Sequence, residues 1–341
     1  MNTVAKQDIQ EFVQSFKISE CLEDATFLIT GATGLIGSTL IHCLLALDKN
    51  IFIIAPLRNI SKARKMYDDD EQDFIKFIEC DITQFNYESI GIVDYIIHCA
   101  APTSSKFYVD YPVETFYTIY GSTQALLEYA RNKKVRGFVY LSSLEMYGTI
   151  LDDSVAVTED VQGYLDPMAV RSSYPMAKRA TENLCCLYVA QYGVKVMVAR
   201  LTQTTGANIS DDDNRFIAQF CRLAAKGEDI ILHTTGEAAK PCCYTIDCIS
   251  AILYILLKGN PGEAYNVANE ETYISVKGLA ELLRDSFNKK IKVKVELKGS
   301  MGYAPITKLR LSTQKVMNLG WKPRYGLKDI LYRLLKSLKD S

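Results

Sequence analysis

Tyr174 and Lys178 stand four residues apart in the run Arg171-Ser-Ser-Tyr-Pro-Met-Ala-Lys178. On a helix this spacing puts a phenol and an ammonium on one face, one turn apart. Such a pair can remove a proton, because the ammonium favours the phenolate that does the removing. The pattern is common in a chain with 21 tyrosines, and its plain alternative is a helix-face pair with no chemistry. What gives it weight is a second run, Thr30-Gly-Ala-Thr-Gly-Leu-Ile-Gly37. Gly31, Gly34 and Gly37 follow a β-rich run and precede an apolar-periodic stretch, so they read as a turn whose backbone approaches a pyrophosphate at a helix N-terminus. Thr33, Leu35 and Ile36 belong to the same turn. A tight βα turn that needs glycine only for its shape is the alternative there. The two runs together point to a dinucleotide cofactor and redox chemistry.

The elements that must hold these residues alternate along the chain. Strands are expected at Ala25 to Thr30, Asn50 to Ala55, Phe74 to Glu79, Tyr95 to Cys99, Gly137 to Ser142 and Val194 to Leu201. Helices are expected from Leu35 to Leu47, Val113 to Asn132 and Tyr174 to Tyr192. Strand-helix alternation of this kind implies a parallel sheet covered on both faces, a Rossmann-like, doubly wound α/β fold. After Gly206 the alternation breaks into a loop at Asp211 to Arg215, a helix to about Lys226, a strand at Ile230 to His233 and mixed short elements. The expected division is an extension over 1–24, a dinucleotide-binding domain over 25–205, and a smaller C-terminal α/β substrate lobe over 206–341 that is partly interleaved with the core. Asp68 to Glu71 and Asp211 to Asp213 read as solvated loops.

Composition narrows the function classes. With 39 Lys plus Arg against 40 Asp plus Glu, no charge excess points to nucleic acid or a membrane surface. The apolar run Ile249 to Leu257 is too short to span a bilayer, and Met1 to Ser15 lacks the apolar core of a signal peptide. The ten cysteines are scattered, without Cys-x-x-Cys spacing, and read as small hydrophobes in a reducing cytoplasm. Three histidines, far apart in sequence, argue against a zinc site.

Further candidates lie where strands end. Asp81 and Ile82, after the third strand, put a carboxylate in reach of an adenine edge, with a turn aspartate as the alternative. The second strand ends Ala55-Pro-Leu-Arg58-Asn59, with no carboxylate to grip a ribose 2′-hydroxyl; Arg58 suits a 2′-phosphate instead. Pro102-Thr-Ser-Ser105 sits at the carboxyl edge of the sheet, where open α/β folds bind ligands, so Thr103 and Ser104 become candidate ligand contacts.

The order Thr-Gly-x-x-Gly-x-x-Gly, Asp81-Ile82, Asp94-Tyr-Ile-Ile-His-Cys-Ala-Ala101, Ser142-Ser143, Tyr147-Gly148 and Tyr174-x-x-x-Lys178 resembles an extended short-chain dehydrogenase/reductase. From Val198 to Gly206, at Asp213-Asn-Arg215, Tyr265 to Asn269 and Leu319-Gly-Trp321, it is similar to the nucleotide-sugar epimerase, dehydratase and decarboxylase branch. The resemblance implies a nucleoside-diphosphate sugar as substrate, NAD as the tightly held cofactor despite Arg58, which leaves NADP open, and a homodimer built on the helices of Val113 to Asn132 and Tyr174 to Tyr192. It implies cofactor contacts at Ala100 and Ala101, at the glycine turn, and at Tyr174 and Lys178. Tyr174 becomes the base at a sugar hydroxyl, with Lys178 and the nicotinamide's positive charge lowering its pKa, and Ser143 holds the same hydroxyl.

Subfamilies part at Leu144 and Glu145. The 4,6-dehydratases that the chain resembles carry Asp-Glu there, and leucine cannot donate a proton. UDP-glucuronate decarboxylases keep the glutamate after a small hydroxyl residue, whereas simple C4-epimerases generally lack the acid. Glu145 therefore points to acid/base work at C5, or orders a loop. Arg171, Gln203, Arg215 and Lys240 are the candidates to face the substrate. Thr118, Gln203 and Lys240 stand where the decarboxylase pattern has asparagine, asparagine and arginine, and lysine lacks the planar fork that grips phosphate. A UDP-glucuronate decarboxylase-like enzyme is the first expectation. An NADPH-dependent 4-keto reductase is the second, and a non-catalytic dinucleotide sensor the third.

Overall fold

Apolar residues that alternate between two faces define the central sheet in the computed structural model, which describes residues 1–210, 213–298 and 306–340. The strands are β1 (Thr26–Thr30), β2 (Phe52–Leu57), β3 (Ile75–Glu79), β4 (Tyr95–His98), β5 (Gly137–Ser143), β6 (Val196–Leu201), β7 (Gln203–Thr205), β8 (Ile230–Leu232), β9 (Ala239–Tyr244), β10 (Ala264–Val267), β11 (Asn269–Ser275) and β12 (Val293–Val295). The helices are α1 (Thr3–Ser15), α2 (Leu35–Leu45), α3 (Ile60–Arg64), α4 (Asp69–Gln72), α5 (Ser105–Asp110), α6 (Pro112–Lys133), α7 (Ser173–Tyr192), α8 (Phe216–Lys226), α9 (Thr245–Lys258), α10 (Val276–Phe287), α11 (Gln314–Met317) and α12 (Leu327–Lys339).

Seven strands form one sheet in the order β3-β2-β1-β4-β5-β6-β10, and every pairing in it is parallel. Phe27, Ile29, Ile97, Val139 and Leu141 point to the face that α2 and α9 cover. Leu28, Ile96, Phe138 and Tyr140 point to the other, under α6 and α7. Burial on both faces is why these strands read as nearly continuous apolar runs. Strand order reverses at β1, whose neighbours are β2 and β4, so a crevice opens beyond the carboxyl ends of β1 and β4 where such folds take their ligands. A small sheet, β11-β9-β7, and a parallel pair, β12-β8, lie outside this core.

Three features differ from the sequence reading. The segment beyond Gly206 is not made only of short elements: α9 spans 14 residues, ten of them buried, and β10 pairs with β6 in the central sheet. The run Asp68 to Glu71 is helical rather than a loop, with Asp68, Asp69 and Asp70 exposed. Asp68 caps α4 in a capping box with Glu71, whose carboxylate meets His42 Nδ1 at 2.5 Å. Asp211 and Asp212 lie outside the described residues, while Asp213 is engaged by Arg215. At the N-terminus, α1 buries Val4, Ala5, Asp8 and Phe12 and is tied down by Arg333, which pairs with Asp8 and Glu11. Among the described residues no helix is long and apolar enough to cross a membrane.

Candidate active site

The glycine turn brings backbone closer at Gly31 and Gly37 than a side chain would allow. Gly31 has φ of +74°, and a Cβ there would meet Ala100 N at 3.0 Å. On Gly37 a Cβ would lie 2.3 Å from Gly31 O, so the first turn of α2 can rest against β1 only if that residue is glycine. Gly34 is less constrained, its nearest neighbour being 3.4 Å from an added Cβ. It caps α2 without any side-chain hydrogen bond, which leaves the first N–H groups of the helix open to an anion. Thr33, Leu35 and Ile36 are part-buried around this opening. Ala100 N donates to Thr30 Oγ1 at 3.1 Å, fixing the Ala100-Ala101 chain beside the turn. These features fit a dinucleotide pyrophosphate.

Just beyond the carboxyl end of β3, Asp81 Oδ1 accepts from Thr83 N and Thr83 Oγ1 at 2.9 and 2.7 Å, which holds its carboxyl below the ordinary value. Ile82 follows, part-buried. Arg58 is exposed after β2, and its charge also favours the Asp81 carboxylate.

The side chains expected to react come from β5 and α7. Ser143 ends β5 and caps the following short turn, its Oγ accepting from Glu145 N at 3.2 Å. Tyr174, buried near the start of α7, hydrogen-bonds with Ser143 and Tyr108. One turn on, Lys178 is 3 % exposed and donates to Leu141 O at 2.7 Å. Burial pushes its pKa down to about 7. Its ammonium lies 5.7 Å from the centre of the Tyr174 ring. Without the nicotinamide's charge beside it, the phenol lies above its ordinary value. Burial first, then the Glu145 charge, pushes Tyr174 up to about 12, with the Ser143 and Tyr108 hydrogen bonds and Arg171 opposing.

Glu145 is held in this group by Arg171, whose Nη2 donates to both carboxylate oxygens at 3.3 and 3.0 Å. The guanidinium lies 5.0 Å over the Tyr108 ring. Lys240, part-buried in β9, has its pKa lowered by burial, opposed by the Glu145 charge. Thus Ser143, Glu145, Arg171, Tyr174, Lys178 and Lys240 form one cluster. The chemistry available is proton transfer at the Tyr174 hydroxyl, beside a carboxylate clamped by one cation and approached by a second.

Other expected substrate contacts are placed differently. Ser104 caps α5 by accepting from Phe107 N at 3.5 Å, and Thr103 is exposed. Arg215 does not present a free guanidinium: it binds Asp213 at 2.6 Å and Thr204 O at 2.6 Å. Gln203 lines a shallow crevice with Asp213 and Arg215.

Tyr108 was not among the expected residues. Its ring stacks on Tyr174 with centroids 4.2 Å apart and planes at 10°, and its hydroxyl donates to Pro102 O at 3.2 Å. A six-residue helix, α5, carries it there; too short for a period to be read, its only signal is an aromatic pair, Phe107-Tyr108, soon after a strand end.

Known proteins are similar to this chain over most of its length. The UDP-glucuronic acid decarboxylase 3 of Arabidopsis thaliana is 28 % identical over 309 residues, which span 91 % of this chain and 87 % of the relative. The dTDP-D-glucose 4,6-dehydratase of Bos taurus is 25 % identical, over 92 % of this chain and 88 % of its own. Among solved structures, DesIV, a dTDP-glucose 4,6-dehydratase from Streptomyces venezuelae with NAD and TYD bound, matches with a TM-score of 0.77 at 23 % identity, over 93 % of this chain and 97 % of that one. The family model described as "NAD dependent epimerase/dehydratase family" matches residues 27–268. Because that match runs from β1 through the glycine turn, β5, α7 and β10, the chain belongs to the NAD dependent epimerase/dehydratase family of extended short-chain dehydrogenases/reductases.

Proposed function

We propose that the chain oxidises C4 of a nucleoside-diphosphate sugar and then removes carbon dioxide, as a UDP-glucuronate decarboxylase does. The observation that carries this reading is Glu145, clamped by Arg171 within the cluster that holds Ser143, Tyr174 and Lys178. Relatives named UDP-glucuronic acid decarboxylase support it, and Leu144, buried in an apolar cluster with Leu309 and Leu311, cannot supply the acid of a 4,6-dehydratase.

NAD, when bound, supplies the hydride acceptor and returns the hydride at the end. Gly31, Gly34 and Gly37 seat its pyrophosphate against α2, Thr33, Leu35 and Ile36 flank it, Asp81 and Ile82 meet the adenine, and Ala100 and Ala101 border the nicotinamide half. Tyr174 takes the proton of the C4 hydroxyl while Ser143 holds that hydroxyl's oxygen. Lys178 places positive charge behind the phenolate. The resulting C4 ketone turns a C5 carboxylate into a β-keto acid, and when carbon dioxide leaves, the Tyr174 O–H steadies the oxygen of the enolate. Glu145 works at C5, in the step where a proton returns to that carbon. Arg171, Lys240 and Gln203 receive the anionic substrate, and Arg215 joins them only by releasing Asp213; Thr103 and Ser104 border the sugar.

The test is a panel of UDP-, dTDP-, GDP- and CDP-sugars with product masses read out. Loss of carbon dioxide from UDP-glucuronate is the expected result. Loss of water or an unchanged mass would replace decarboxylation with dehydration or epimerisation, and stoichiometric NADPH consumption would favour the reductase that Arg58 suits.

The same reading places the chain in the cytoplasm, where its ten free cysteines stay reduced. It also makes the protein a homodimer, through the outer faces of α6 and α7, where Val113, Tyr117 and Leu187 are exposed. Light scattering at twice the chain mass is the expected outcome; a monomer at working concentration would remove it.

A further inference from the structure

Beneath the reacting cluster lies a second group of buried side chains to which the reaction gives no part. Arg200, on β6, pairs with Glu182, on α7, at 2.7 Å, with the two side chains 7 % and 8 % exposed. Glu182 stands four residues after Lys178, on the same helix face. Its carboxylate also accepts from Ser142 Oγ. The other side of the guanidinium donates from Nη1 to Tyr147 OH at 2.9 Å and to Glu159 O at 2.7 Å. Tyr147 in turn donates to Asn266 on β10 at 2.7 Å.

The arrangement has a particular shape. Ser143 and Glu145 sit in an arch of chain whose two feet are Ser142 and Tyr147. One foot reaches Arg200 through Glu182 and the other touches it directly. Arg200 is anchored in turn, because β6 is flanked by β5 and β10. A planar guanidinium with five donors can serve both feet at once, which a lysine could not.

We propose that Arg200 and Glu182 are positioning residues that set the separation of Ser143 and Glu145 from Tyr174 by pinning both feet of the arch and the face of α7 behind Lys178. This rests on the reading of Ser143, Glu145 and Tyr174 as the reacting groups. Neither Arg200 nor Glu182 touches the substrate, so their removal should act on turnover while leaving substrate binding largely intact. A displacement of the reacting atoms by about an ångström is enough to cost about 100-fold in rate.

The experiment must separate positioning from stability. Breaking a buried ion pair by one substitution leaves an uncompensated charge, whereas replacing both partners with apolar residues is often neutral or stabilising. The double variant Glu182→Leu with Arg200→Met is therefore compared with the wild-type chain, using as substrate the sugar in the panel that the wild type oxidises. Expected are a melting temperature close to wild type, a KM within about threefold and a kcat lower by about 100-fold. A folded double variant with wild-type kcat overturns the proposal. Should that variant not fold, Tyr147→Phe removes the hydroxyl of one foot and keeps the ring; a fall in kcat at constant KM supports the brace, and unchanged kcat removes it. Wild-type inactivity toward UDP-glucuronate would sink the decarboxylase reading alone, since any other sugar oxidised at C4 still reads the brace.

Discussion

Tyr174→Phe should leave a folded protein that holds NAD and turns over its sugar about 100- to 10,000-fold more slowly, the usual worth of a positioned general base. The substitution removes one hydroxyl and little else. The ring that stacks on Tyr108 at 4.2 Å remains. The former partners keep other bonds, Tyr108 to Pro102 O and Ser143 to Glu145 N, so no buried group is left without a partner. The glycine cradle lies on β1 and α2, away from α7, and cofactor content should not change. Carbon dioxide release from UDP-glucuronate measures turnover, and the absorbance of the isolated protein measures bound cofactor. Undiminished turnover would remove Tyr174 as the base.

Glu145→Gln should split the reaction in two. Its carboxylate is one of the influences that hold the Tyr174 pKa up, because a nearby negative charge disfavours the phenolate. Loss of that charge lowers the phenol's pKa. Proton removal at C4 then extends to lower pH and is not slowed. The later step at C5 loses its carboxylate and should fall by about 100- to 1,000-fold. A single-turnover experiment should therefore show carbon dioxide released at close to the wild-type rate while reduced cofactor accumulates, because C5 is slow to regain its proton and the ketone is not re-reduced until it does. If C4 oxidation and carbon dioxide release fall together, Glu145 acts before the oxidation, and its place in the sequence of steps is wrong.

Strands and the glycine turn were legible in the sequence because each is a local pattern. Ile53, Ile54 and Ala55 of β2, and Phe138 to Leu141 of β5, are buried on both faces, and continuous apolar runs are the signature of such strands. Tyr174 and Lys178 were legible for a different reason: their spacing fixes a shared helix face before any fold is known. What escaped was settled by distant contacts. The role of Tyr108 depends on α5 being folded back so that Ser173 Oγ can donate to Tyr108 O. Asp213 could not be seen to occupy Arg215, since two residues of spacing in a loop fix no geometry. The pKa of Tyr174 depends on how deeply α7 is buried, and no spacing rule reports burial. The long apolar run from Ile249 was read only for its capacity to span a bilayer, although as α9 it covers one face of the central sheet.

That last feature bears on how the molecule holds together. The edge strand β10 and the covering helix α9 both come from the part of the chain that follows the Thr205–Gly206 junction, yet both complete the sheet that seats the cofactor. Without them β6 would present a bare edge, and the apolar side of β5 and β6 would face water. The central sheet of the cofactor half is therefore completed by residues from beyond that junction. Cofactor binding to the first half then stabilises the second by mass action, because anything that binds only the complete native sheet lowers the free energy of every element that sheet requires.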